Sequence, residues 1–152
     1  MTTNILRRAF GIFSILVLLA SLFVSSVNAK APGSVVFQIP FDFVVAGKTL
    51  PAGEYIIVRS TLASDEILSI RSLDKSRGVY VLTSTLRASN ILNDSKLVFN
   101  RYQDQYFLSE FWISGQDSGR MVIKSERERA LAREVAKAGT KVERVAIATR
   151  QK

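Results

Sequence analysis

From Ser34 to Phe43 the chain keeps a strict period of two. Val35, Phe37, Ile39, Phe41 and Phe43 fall on one side, and Val36, Gln38, Pro40 and Asp42 on the other. An extended chain turns successive side chains to opposite faces, whereas a helix repeats every 3.6 residues. The run therefore predicts a half-buried strand over 34–43. Pro40 has no N–H for a ladder, so it predicts an edge or a bulge there.

The same grammar recurs along the chain. Ala46-Gly47-Lys48 is a turn candidate. Leu50-Pro51-Ala52-Gly53 is a second, with Pro and Gly where type I turns favour them. Strands are then predicted over 54–61, 67–71, 79–84, 96–102, 106–113 and 120–124, the last pairing back across a loop at 115–119. Residues 85–94 read as a loop, and Asp74 and Asp104 sit in polar turns. Strands at this spacing, with turn residues between them and no intervening helices, exclude a parallel α/β sheet. The expected fold is all-β and mainly antiparallel. It is a single β-sandwich or small barrel of about eight strands, with one short C-terminal helix before a last strand.

That helix is signalled at Ser125. Ser125-Glu126-Arg127-Glu128 has the Ser and Glu of a capping box, 126–138 are strong helix formers, and Gly139 is a natural stop. Leu131, Val135 and Ala138 form a narrow apolar stripe. Alternation returns over 141–149, with Val145 and Ile147 on one side.

Residues 1–29 stand apart. Arg7 and Arg8 precede an apolar run from Phe10 to Val24, and Val27 and Ala29 supply small residues at a cleavage site. This is the three-part pattern of a secretory signal peptide cut after Ala29, and the run is short of the ~20 residues of a membrane span. The expected organisation is a signal peptide at 1–29, a β-domain at 30–124, and a basic helix plus final strand at 125–152 in the same domain. The expected location is secreted or periplasmic, with the membrane met only transiently through the leader. With no Cys in the chain, the exported domain must close on apolar packing alone.

Composition removes whole classes of chemistry. There is no His and no Cys, so Ser-His-Asp triads, Cys nucleophiles and imidazole or thiolate metal sites are excluded. No D-x-D-x-D-G loop offers a calcium site, and no G-x-G-x-x-G cradles a phosphate. No cofactor, metal or catalytic residue is assigned. A hydrolase using carboxylates alone is an alternative, although Asp42, Glu54, Asp104 and Glu110 are scattered over separate strands and turns.

Two binding surfaces are candidates. The formal charge is +8, and 124–152 carry 9 basic and 4 acidic residues. Arg127, Arg133 and Lys137 are the cations of a possible polyanion site, for an anionic polysaccharide or a lipid surface. Glu126, Glu128, Glu134 and Glu143 interleave with them, as on a solvated helix face. Export makes nucleic acid an unsuitable partner. Tyr106 and Trp112, read as sharing one face of a strand, would supply rings for a sugar; ordinary core packing is the competing role.

The runs Ile39-Pro40-Phe41-Asp42-Phe43 and Gly47-Lys48-Thr49-Leu50-Pro51-Ala52-Gly53-Glu54-Tyr55 resemble a family of short exported bacterial proteins abundant in acidobacteria. Phe99-Asn100-Arg101-Tyr102, Tyr106-Phe107-Leu108, Trp112 and Gly119-Arg120 are similar to its later motifs. The resemblance spans roughly 35–125. It implies an exported β-rich protein and transfers no catalytic residue. The expected function is a non-enzymatic envelope or exterior protein with a binding or structural role, its partner an envelope protein or an anionic surface.

Overall fold

A computed structural model describes residues 34–59 and 66–149. The expected signal peptide at 1–29 lies outside these residues. In chain order the elements are β1 (Ser34–Ile39), β2 (Phe43–Val45), β3 (Lys48–Leu50), β4 (Gly53–Arg59) and β5 (Ile67–Ser72). Then follow β6 (Gly78–Arg87), β7 (Lys96–Tyr102), β8 (Gln105–Trp112), β9 (Ser118–Val122), α1 (Glu126–Lys137) and β10 (Glu143–Ala148).

Pro40 interrupts the strand expected over 34–43. β1 pairs antiparallel with β4, while β2 pairs parallel with β8 in the other layer. The two segments are joined by Pro40-Phe41-Asp42, where the missing proline donor stops the first ladder. Asp42 Oδ1 accepts from the Ala52 N–H at 2.8 Å, tying the crossing to the Leu50-Pro51-Ala52-Gly53 turn. β2 and β3 form a two-residue hairpin in which Ala46 and Gly47 both have positive φ, 49° and 75°. Matching the strand twist requires that pair of conformations, and Gly supplies one without steric cost.

The path through the ladders is β1-β4-β5-β6-β9-β8-β2-β3, with β7 on the other side of β8 and β10 beside β7. β6 serves both layers. Residues 78–82 pair with β5, and 83–87 pair with β9. The expected loop over 85–94 thus begins later than its composition suggested, because β9 supplies a partner. Ten strands are present among the described residues, two more than expected, and the extra pair is the β2–β3 hairpin. The arrangement is mainly antiparallel and does not close into a barrel: β1 and β10 approach each other but share no ladder.

The main core lies between the layers. Phe37, Ile39, Tyr55, Ile57, Leu68 and Ile70 meet Phe43, Leu97, Phe99, Leu108 and Phe111 there. Phe43 packs edge-on to Tyr55 and Phe99 at centroid distances of 5.2 and 5.6 Å, the geometry ring quadrupoles prefer. Burying each such side chain contributes about 1.5–3 kcal/mol relative to exposure. A smaller cluster, Val44, Tyr102, Phe107 and Val135, fixes α1 against the outer face of β7 and β8. β7 and β8 are therefore covered on both sides along part of their length.

α1 has the expected start and stop. Ser125 Oγ accepts from the Glu128 N–H at 3.2 Å. Thr140 N–H bonds Val135 O and Gly139 N–H bonds Ala136 O, with Gly139 at φ 68°. This is the paired-bond termination that favours glycine in the left-handed region.

Candidate functional site

The rings expected to share one face of β8 are separated by a bulge. The β7–β8 register shifts between Val98 and Phe99, pairing Val98 with Glu110 and Phe99 with Leu108. Ser109 is the extra residue, and it inverts the alternation that follows. Tyr106 packs on the main core, stacked on Phe41 at 3.8 Å. Trp112 turns to the opposite face and is only 8% exposed. The single face assumed for these two rings is thus corrected by the bulge.

Trp112 is held on three sides. Its ring lies against Gly119, where an added Cβ would meet Cε3 at 2.5 Å. Its Nε1–H donates to Glu110 Oε2 at 2.9 Å, and Lys96 Nζ sits 5.8 Å from the ring centroid. Arg144 donates to the other Glu110 oxygen. An indole fixed in this way has little surface left for a ligand.

The C-terminal cations divide into bound and unbound. Arg127 donates to Gln105 Oε1 at 2.6 Å, and Arg129 lies 4.0 Å from Glu126. Arg133 and Lys137 are exposed on α1 and form no ion pair among the described residues. The five residues expected as one ligand surface are therefore not assembled: one ring is half-buried against the core, one is under cover on the opposite face, and the three cations are on the helix.

At one end of the β1–β4–β5 layer lies an open groove of about 790 Å³, lined by Gln38, Pro51, Glu54, Leu73, Asp74 and Arg77 among others. Asp74 accepts from Ser72 Oγ and from the Ser76 N–H and hydroxyl. These bonds, the Ser72 hydroxyl first, hold its carboxyl below the usual carboxylate range. An ionised acid committed to its own turn is a poor proton donor. Tyr55 closes the groove floor, its hydroxyl donating to Pro51 O at 2.8 Å.

An apolar patch lies exposed on neighbouring strands. Tyr80 and Leu82 point outward from β6, Met121 and Ile123 from β9 and its extension. Leu82 pairs with Ile67 on one side, and its carbonyl accepts the Ile123 N–H at 3.2 Å on the other. Met121 stands opposite Ser84. The shared strand thus brings side chains from both layers onto one outer surface. The trace of this in the sequence is Val79-Tyr80-Val81-Leu82, a strand apolar on both faces.

A buried polar cluster was not foreseen either. Glu128 is 4% exposed, and its carboxylate accepts from Asn100 Nδ2 at 3.3 Å and Tyr102 OH at 3.4 Å. Lys124 Nζ lies 3.4 Å from the same hydroxyl. Burial pushes the Glu128 carboxyl up against these bonds, and burial with the nearby Glu128 pushes the Tyr102 phenol up. The capping box is thereby only half formed, because its glutamate turns to the sheet.

Among the described residues no group of acids could hold a metal ion, and no helix is long and apolar enough to cross a membrane. No family model, no curated protein and no solved structure matches the chain.

Proposed function

We propose that this is an exported, non-enzymatic β-rich protein of the cell envelope or exterior that binds another protein through the outer face of β6 and β9. The observation that carries this reading is the exposure of Tyr80 (67%), Leu82 (58%), Ile123 (55%) and Met121 (43%) on adjacent strands. Apolar area left in water forgoes roughly 25 cal/mol per Å² of burial, and clustered apolar side chains characteristically mark partner surfaces. The signal-like leader supports export. The cover over Trp112 and the turn-bound Asp74 weigh against the sugar-binding and hydrolase alternatives.

The test is site-specific photocrosslinking in the cell that encodes the protein. A photoreactive residue at position 82 is expected to yield a discrete protein adduct, and one at 137 none. Absence of an adduct at 82, or the same adduct from both positions, would overturn the reading.

A further inference from the structure

The glutamates interleaved with the C-terminal cations are mostly committed elsewhere. Glu128 is buried against Asn100 and Tyr102, Glu143 accepts from Arg101 at 3.1 Å, and Glu126 lies 4.0 Å from Arg129. Arg133, Lys137 and Lys141 are exposed, and none of them forms an ion pair among the described residues. Arg133 and Lys137 are four residues apart, so they stand on one face of α1, about 6 Å apart along its axis, with Arg129 one step earlier in the same row. Like charges at this spacing repel and weaken a helix. Past the Gly139 stop, Lys141 lines an open hollow of about 510 Å³ with Val142, Glu143 and Arg144.

This row faces solvent without apolar anchors. The large apolar side chains of α1, Leu131 and Val135, pack toward the sheet, and the exposed positions 130 and 136 are alanines. A helix that lies on a membrane needs a wide apolar face, and a protein interface needs a desolvated apolar centre. A linear polyanion needs neither, because its affinity comes from cations that displace its counterions. We propose that Arg133, Lys137 and Lys141 bind an acidic polysaccharide along the outer face of α1. Carboxylate or sulfate groups on successive sugars take the cations in turn, and the hollow beside Lys141 receives the chain past the helix end. The surface is separate from the apolar face of β6 and β9 and adds a second ligand to the proposed function.

The experiment is calorimetric titration of the full chain with sodium polygalacturonate, dextran sulfate and uncharged dextran at low and physiological ionic strength, with phosphatidylglycerol vesicles as a parallel arm. Wild type is expected to bind at least one acidic polymer, to ignore uncharged dextran, and to bind more weakly as salt rises. Arg133→Gln with Lys137→Gln is expected to weaken binding at least about tenfold, and Lys141→Gln alone to weaken it less. Arg71→Gln with Lys75→Gln removes as many exposed cations from β5 and the turn after it, and is expected to bind like wild type. Glutamine is a good helix former and every substituted side chain is exposed, so the variants keep the fold. Failure of wild type to bind either acidic polymer overturns the site. So does an equal loss in the two double variants, which would make net charge the cause, or a loss by the Arg133/Lys137 pair on vesicles and not on the polymers.

Discussion

Trp112 and Gly119 face each other across the β8–β9 ladder so closely that three indole carbons, Cε3, Cδ2 and Cζ3, would lie 2.5–2.8 Å from a methyl group at 119. Glycine here serves space and not backbone freedom. Gly119→Ala is expected to push the indole off its seat and destabilise by about 1–3 kcal/mol, the usual cost of overpacking. Urea unfolding followed by tryptophan fluorescence measures it, since Trp112 is the only reporter. An unchanged midpoint with an unchanged emission maximum would contradict the contact.

Glu128 gives the fold an acid-side signature. Its carboxyl is raised above its unfolded value, so the folded state binds a proton more tightly than the unfolded chain. That contribution is complete below the ordinary carboxylate range and is lost as pH rises through the raised folded pKa. Glu128→Gln removes the titration while keeping an acceptor for Asn100 and Tyr102. Relative to Glu128→Gln, wild type is expected to gain stability as pH falls from 7 toward 4. Paired denaturant titrations at several pH values measure the difference, and a pH-independent difference would exclude the buried carboxylate as its source.

Ser125 supplies the only side-chain bond to the first-turn amides of α1 among the described residues. Ser125→Ala is expected to cost about 1 kcal/mol, within the range for lost caps, whereas Ser125→Asp should retain most of it. Hydrogen exchange at 126–129 is the sharper readout, because fraying there precedes global unfolding.

Leu82→Asp separates folding from recognition. The side chain already faces water, so stability should change by no more than about 0.5 kcal/mol. Recovery of the crosslinked partner, assayed from position 80, should fall at least about tenfold, since a charge placed in an apolar contact must be desolvated. A large loss of stability would mean that Leu82 supports the fold itself.

Much of the architecture was legible because strand alternation is a local property. Leu97 and Phe99 on β7 are buried, and Val145 and Ile147 on β10 are half-buried between exposed neighbours, as their spacing predicts. Ser125 and Gly139 marked the helix ends for equally local reasons, an acceptor for free amides and a left-handed conformation. The site was less legible. Arg133 and Lys137 read as cations offset by interleaved glutamates until the fold commits Glu128 to the sheet and Glu143 to Arg101. Glu128 reads as half of a capping box until the sheet offers Asn100 and Tyr102.

The amino-acid order alone determined that this chain is a series of short strands with one capped helix before the last, since those patterns depend on neighbours a few residues away. Only the tertiary structure decided which faces those strands share. One extra residue, Ser109, sends Trp112 away from Tyr106, and one long strand, β6, joins two layers and exposes Tyr80 and Leu82. Both outcomes depend on ladder partners distant along the chain, and a period of two has no memory of them.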